Sequence, residues 1–584
     1  MHPPRTRGTL LAAIALASSP LSAQDADVSR SMGGGDCEES PYNCAGTPNP
    51  LPDANTVWIE EMTWMDVRDA LHEGKTTAII PTGGVEPNGP WLATGKHNYV
   101  LRANCDAIAR RLGDALCAPV VKLVPEGSID PPSGHMTSPG TLSATRETFE
   151  ALLTDIARSL KAHGFRNIIF IGDSGGNQAG QRAVAERLNE MWDGTVVAHV
   201  QEYYDYGTVD RYMAFRGFEQ GESDGLHDDP IISLNMLVAD PASIRYDERV
   251  EAGLATINGV SLADRVQALE WGREIVDFRA AETSKAIRTA VAHRGTLPAP
   301  ERRRSTGGGG PRPEPDPRSM GGGNCAVNEY NCDDTPNPLP EANTVWIEEM
   351  TWMDVRDALA DGRTTAIIPT GGLEPNGPWL VTGKHNYVLR ANCEAVARTL
   401  ENALCAPVLA FVPEGGIEPP TGHMTSPGTI SLRQETFEAV LTDMANSLQA
   451  HGFEHVVFIG DSGGNQRGME NVATRLDGAW GGSASAHYIP EYYDYGSVSE
   501  HMRDHGLVPG ESDDLHDDPV ITLNMFFEDP RSVRYEERLR TRQAHINGFS
   551  IADREEALEL AREIVDFRAS VTSDAIRSAI ASTN

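Results

Sequence analysis

Asn167–Ile168–Ile169–Phe170–Ile171–Gly172–Asp173–Ser174–Gly175–Gly176–Asn177–Gln178 is a short, continuously apolar run that breaks into a glycine-rich turn. A helical pattern follows from Arg182 to Trp192, and Val196–Val197–Ala198–His199–Val200 is apolar again. Upstream, Thr76–Thr77–Ala78–Ile79–Ile80–Pro81 is another such run, while Tyr99 to Leu116 and Glu147 to His163 carry apolar residues at helical spacing. Strands too uniformly apolar to have a wet face, alternating with amphipathic helices, predict a mainly parallel sheet covered on both sides. Working residues in such sheets sit in loops beyond the C-terminal strand ends. That selects the loops after Pro81, after Ile171 and after Val200.

The chain says nearly all of this twice. Gly172 to Gln178 recurs as Gly460 to Gln466, Asn55 to Arg68 as Asn343 to Arg356, and Glu86–Pro87–Asn88–Gly89–Pro90–Trp91 as Glu374 to Trp379. The offset is 288 at Glu86/Glu374 and 289 at His227/His516. Solenoid repeats run about 20–50 residues, so this is a duplicated domain. The fold class expected is α/β: two tandem three-layer α/β/α domains, at residues 30–293 and 319–584. Residues 294–318, with Arg302–Arg303–Arg304, Gly307 to Gly310 and Pro311, Pro313, Pro315 and Pro317, read as a linker. With no core-forming pattern in the linker, each copy is expected to fold by itself.

Residues 1–23 read as a signal peptide: Arg5 and Arg7, an apolar stretch from Leu10 to Leu16, then Ser22–Ala23. The apolar stretch is too short to span a bilayer, so a secreted or periplasmic location without a membrane span in the mature protein is expected. The cysteines agree with export. Each copy has four, at repeated spacings, which favours disulfides Cys37–Cys44, Cys105–Cys117, Cys325–Cys332 and Cys393–Cys405. A zinc knuckle, or free thiols at Cys105 and Cys117, are the other readings. A net charge of −35 argues against nucleic acid and anionic membrane partners, both of which need clustered cations.

Gly172–Asp173–Ser174–Gly175–Gly176 matches the nucleophile segment of trypsin-like proteases, but those are β-barrels with a base His and an Asp elsewhere. Here the segment joins a buried parallel strand to a helix. A serine-dependent hydrolase using Ser174 and Ser462 stays as one alternative.

Four segments, in order, carry a resemblance. Pro81–Thr82–Gly83–Gly84–Val85–Glu86–Pro87–Asn88–Gly89–Pro90–Trp91–Leu92–Ala93–Thr94–Gly95–Lys96–His97–Asn98 resembles the Gly-x-x-Glu-x-His-Gly-Pro-His-Leu-Pro-Leu-Gly-Thr-Asp segment of the creatininase (creatinine amidohydrolase) family. Gly134–His135–Met136–Thr137–Ser138–Pro139–Gly140–Thr141–Leu142–Ser143 is similar to its His-x-x-x-Pro-Gly-Thr-x-Ser stretch. Ile169 to Asn177 is similar to its Asn-Gly-His-Gly-Gly-Asn, and Leu226–His227–Asp228–Asp229–Pro230 lies near its His-Ala-x-Glu-x-Glu-Thr-Ser.

The resemblance implies an α/β/α sandwich, a pair of divalent metals, commonly Zn or Mn, and hydrolysis of a non-peptide C–N bond, often in a cyclic amide. The departures are as informative. Glu86 stays, but Asn88 stands where the family has His, His97 where it has Asp, and Ser174 where its loop has His, with Asp173 beside it. The expected metal ligands are therefore Glu86, His97 and Asp173, and Glu374, His385 and Asp461 in the second copy, a set suited to one Zn or Mn rather than two. His227 and His516 are expected to move a proton to the leaving nitrogen. Asn88, Ser174, Asn376 and Ser462 are expected beside the ligands or the substrate.

Blander readings stand next to these: Glu86 as a turn cap, His97 as a solvent-facing loop residue, Asp173 as a helix N-cap, His135 and His423 as structural hydrogen-bonding groups. The function expected is an exported, metal-dependent amidohydrolase acting on a small-molecule amide. The rival from another class is a catalytically silent binding protein on the same fold. The family's ring-like assemblies make a homo-oligomer an expectation.

Overall fold

In a computed structural model, residues 37–295 and 323–583 are described. The expected signal peptide at 1–23 and the expected linker from residue 296 onward lie outside them. The first copy runs α1 (Trp64–His72), β1 (Thr77–Thr82), α2 (Lys96–Leu112), β2 (Ala115–Cys117), α3 (Arg146–Ala162), β3 (Asn167–Gly172), α4 (Asn177–Met191), β4 (Val196–His199), α5 (Tyr206–Phe215), α6 (Pro230–Ala239), α7 (Tyr246–Glu251), the short pair β5 (Thr256–Ile257) and β6 (Val260–Ser261), and α8 (Arg265–Ala292). The second repeats it: α9 (Trp352–Ala360), β7 (Thr365–Thr370), α10 (Lys384–Leu400), β8 (Ala403–Cys405), α11 (Gln434–Ala450), β9 (His455–Gly460), α12 (Gln466–Trp480), β10 (Ser485–Tyr488), α13 (Tyr495–Asp504), α14 (Pro519–Glu528), α15 (Tyr535–Thr541), β11 (His545–Ile546), β12 (Phe549–Ser550) and α16 (Arg554–Thr583).

Each copy has a four-stranded parallel sheet, ordered β2-β1-β3-β4 and β8-β7-β9-β10. Strand period two sends successive side chains to opposite faces. Ile79, Ile169, Ile171 and Ala198 pack on one face against Leu101 and Cys105 of α2 and Ala280 and Ile287 of α8. Ala78, Ile80, Ile168, Phe170 and Val197 pack on the other against Phe149 and Leu152 of α3 and Val184 and Leu188 of α4. One difference from the sequence reading lies at the end of α2. That helix stops at Leu112, because Gly113 takes a left-handed φ of 79° and caps it. Ala115–Leu116–Cys117 then becomes an edge strand instead of a last helical turn.

All four expected disulfides are formed, Cys37–Cys44, Cys105–Cys117, Cys325–Cys332 and Cys393–Cys405. Among the described residues no helix is long and apolar enough to cross a membrane.

The two copies share one core. The cluster containing Phe149, Leu152 and Phe170 continues into Val355, Phe437, Val440, Leu441 and Met444 of the second copy. Reciprocal bonds mark an approximate twofold relation. Arg245 pairs with Asp354 at 3.0 Å and Arg534 with Asp66 at 2.7 Å. Ser143 N donates to Ser447 Oγ, and Ser431 N to Ser159 Oγ, each at 3.1 Å. This packing runs against the expectation that each copy folds alone: α3 and α11 pack on one another as well as on the sheets of their own copies.

Candidate active site

Glu86 sits in the loop leaving β1. Gly84 makes that loop possible: its φ is +150°, and a Cβ there would collide with the Glu126 carboxylate. Asn88 Nδ2 donates to Glu86 O at 2.8 Å and to Ala93 O at 3.1 Å, so Asn88 fastens the loop to itself. The far end is held by the other copy, through Thr94 N to Met350 O at 2.7 Å and Gly95 N to Glu348 O at 2.9 Å. Helix α2 starts there, and its first two residues are Lys96 and His97.

Lys96 Nζ lies 2.9 Å from Glu86 Oε1, with both side chains buried. His97 stands between two carboxylates, Nε2 at 2.9 Å from Glu86 Oε1 and Nδ1 at 2.8 Å from Asp173 Oδ2. Asp173 Oδ1 in turn accepts from Arg279 at 2.9 Å and from the Tyr206 hydroxyl at 2.8 Å. The result is a buried chain, Lys96–Glu86–His97–Asp173–Arg279. Burial alone would raise the Glu86 carboxyl, but Lys96, His97 and His227 together hold it well below the ordinary range. Burial would lower His97, yet Glu86 and Asp173 outweigh it and its pKa is raised. Asp173 is depressed in spite of burial, by Arg279 and His97.

On the open side of Glu86 stand two more histidines. His135 Nε2 is 3.6 Å from Glu86 Oε2, and His227 Nδ1 is 3.6 Å from Glu86 Oε1 and 3.3 Å from Pro87 O. Their rings stack with centroids 5.2 Å apart. His227 is carried by a loop that Asp229 anchors, capping α6 through Ile231 N at 2.7 Å. Lys96, then burial, pushes His227 down to about 4; burial lowers His135. Glu126 completes the floor. Burial and the neighbouring Glu86 charge raise it well above the ordinary range, which favours its neutral form. Ser174 Oγ donates to Glu126 Oε2 at 3.1 Å. Its hydroxyl faces a carboxyl rather than an imidazole, which removes the support for a Ser174 nucleophile.

The second copy repeats the arrangement of charged groups. Lys384 and His385 lie 2.7 and 2.9 Å from Glu374, His385 is 2.7 Å from Asp461, and His423 and His516 are 3.5 and 3.3 Å from Glu374. Ser462 donates to Glu414 at 3.1 Å. Asn376 fastens its loop as Asn88 does. The cavity here measures about 370 Å³, the size of a small-molecule site.

The expected ligands Glu86, His97 and Asp173 are thus brought together but do not converge. The two ring nitrogens of His97 point in opposite directions, and Asp173 lies behind the ring from Glu86. Two donor groups do converge in each copy: Glu86 with His135 and His227, and Glu86 with His97 and Glu126, matched by Glu374 with His423 and His516, and with His385 and Glu414. The sequence reading gave His135 a structural role and passed over Glu126 and Lys96. Their repetition in the second copy, as Pro413–Glu414–Gly415 and Gly383–Lys384–His385, was the available signal.

The sequence model described as Creatinine amidohydrolase matches residues 60–284 and 348–573. The chain belongs to the creatinine amidohydrolase family. Creatinine amidohydrolase of Pseudomonas putida is 26% identical over 118 residues, which is 20% of this chain and 45% of that relative's length. Among solved structures, creatinine amidohydrolase (creatininase) matches with TM-score 0.30 and 20% identity over 41% of this chain and 97% of its own. A structure described as Creatininase Mn has TM-score 0.30 and 20% identity over 40% and 98%. A Zn-Zn type mutant creatininase has TM-score 0.30 and 19% identity over 41% and 98%.

Proposed function

We propose that each copy is a hydrolase of a C–N bond in a small amide, cyclic amides included, assisted by one divalent cation. The cation would be held by Glu86, His135 and His227, and by Glu374, His423 and His516. The observation that carries this reading is convergence: one donor atom from each of Glu86, His135 and His227, and from each of Glu374, His423 and His516, lies within 4.8 Å of the other two, with His135 3.6 Å from Glu86 Oε2 and His227 3.6 Å from Glu86 Oε1, and imidazole with carboxylate is a donor set that suits zinc. A second cation is not part of this reading: in the other donor group, Glu86 with His97 and Glu126, Lys96 already supplies a positive charge on Glu86 and both nitrogens of His97 are engaged. Bound there, Zn or Mn would supply a Lewis acid for the amide carbonyl and an acidified water.

The remaining groups have chemical parts of their own. Arg279 and Tyr206 hold Asp173, which holds His97 and so fixes the Glu86 carboxylate. Glu126, beside Glu86, keeps a proton that the leaving nitrogen can take. His227, expected to be that proton donor, is assigned to the cation instead. Export to the periplasm or outside the cell goes with this reading, supported by the basic and apolar start and by eight cysteines in four disulfides.

The test is metal content after loading with Zn or Mn, paired with turnover of lactams, cyclic imides and formamides. His135→Ala with His423→Ala should lose both metal and turnover. If that pair keeps its metal while His97→Ala with His385→Ala loses it, the ligands are those first expected from sequence. A second reading, a silent binding protein, is favoured by the buried Lys96–Glu86 pair, which neutralises the site without any metal. Protein that takes up no Zn or Mn and turns over none of the panel establishes it.

A further inference from the structure

The second copy carries one cluster that the first lacks, far from Glu374 in chemistry and on the surface. His501, on α13, and His505, which caps the C-terminal end of that helix, are one turn apart, and their tilted rings have centroids 4.4 Å apart. Glu563, on α16, lies against both: its Oε1 is 2.7 Å from His501 Nε2 and 3.6 Å from His505 Nε2. His505 Nδ1 is turned back on the His501 carbonyl at 3.0 Å, which aims its Nε2 at Glu563. His501 is held flat against Phe567, centroids 4.0 Å apart. One donor atom from each of the three residues lies within 4.8 Å of the other two, and all three side chains keep solvent access, at 25, 44 and 39% exposure.

The first copy is the control built into the chain. At the corresponding positions it has Tyr212, Arg216 and Glu274. Tyr212 donates to Glu274 at 3.0 Å and Arg216 pairs with the same carboxylate at 2.5 Å. There the acidic residue is satisfied by a fixed guanidinium cation. In the second copy that cation is gone, and two imidazoles converge on the glutamate instead.

We propose that His501, His505 and Glu563 form a divalent-metal site, of the kind that takes zinc, which staples α13 to α16 in the second copy alone. Two imidazoles at one-turn spacing plus a carboxylate are a three-ligand set that leaves a position for water. The staple clamps the two elements that fix Asp461. α13 begins with Tyr495, whose hydroxyl donates to Asp461 at 2.7 Å, and α16 carries Arg568, 3.0 Å from the same carboxylate. Metal at this surface site therefore stiffens one of the two active sites and leaves its twin unbraced.

The experiment counts zinc equivalents in the full chain after chelator treatment and reloading. His501→Tyr with His505→Arg installs the pair the first copy already tolerates, and it should bind one equivalent fewer than the natural chain. Glu563→Gln should do the same, and Tyr212→His with Arg216→His should gain one. Zinc should raise the melting temperature of the natural chain by more than that of the His501→Tyr/His505→Arg chain. Because the readout is a difference of one equivalent, it stands whether the central sites bind metal or not. Equal zinc content in the natural chain, the His501→Tyr/His505→Arg chain and the Glu563→Gln chain overturns the proposal.

Discussion

Lys96 Nζ is 2.9 Å from Glu86 Oε1 with neither side chain open to solvent, and Lys384 repeats the contact on Glu374 at 2.7 Å. A buried ammonium on a buried carboxylate is tolerated only when each satisfies the other. The pair therefore sets the charge state of the whole site, and its loss should be felt in stability before it is felt in chemistry.

Lys96→Met should destabilise the protein by about 3–5 kcal/mol, the usual result of stranding one partner of a buried pair. Adding Glu86→Gln should recover part of that loss, since the stranded charge goes too. Denaturant melts of the two single variants and the double variant give the coupling energy. Additive effects would mean the two groups do not act as a pair.

The shared core makes separate expression a decisive test of how the copies depend on one another. Residues 37–295 and 323–583, produced alone, should be poorly soluble or bind apolar dye. Mixed or co-expressed, they should associate into one cooperative unit. Two soluble halves with sharp independent melts would show that each closes over its own α3 or α11 face.

Stability should fall below neutral pH through two histidines at the junction of the copies. His163 lies 2.8 Å from Thr429 O and His451 3.0 Å from Thr141 O, and burial pushes each down to about 4. A histidine near 6.5 when unfolded and about 4 when folded takes up its proton first in the unfolded chain. Its contribution is complete above pH 6.5 and is lost as pH falls from 6.5 toward 4. At pH 5 the loss is about 2 kcal/mol per histidine as an upper bound. His163→Gln with His451→Gln should flatten the curve of stability against pH between 7.5 and 5, and an unchanged slope would place the effect elsewhere.

Cys105–Cys117 ties α2 to β2 across a short loop, and α2 carries Lys96 and His97. Cys105→Ala with Cys117→Ala should lower stability by about 2–4 kcal/mol, the range for closing a loop of this length. Melts under oxidising and reducing conditions check it: the variant should melt below the natural chain when oxidised, and the gap should close when a reductant opens all four disulfides in the natural chain and the remaining three in the variant.

Much of the architecture is written locally. Ile168–Ile169–Phe170–Ile171 and Thr77–Ala78–Ile79–Ile80 are apolar on both faces, which only a covered parallel sheet can use, and the repeat at 288 residues announces the duplication. The cysteine pairs follow from short spacings, and strand C-termini point to the loops of Glu86 and Asp173. What tertiary structure alone decided is direction and partnership. Which way the two nitrogens of His97 face depends on Asp173, 76 residues away, and so the expected ligand trio became a hydrogen-bonded chain. His135 and Glu126 enter the site because packing folds their segment over Glu86, a placement that no periodicity encodes. The apolar face of α3 reads the same whether its own copy or the other covers it, so only the folded chain shows that it meets α11.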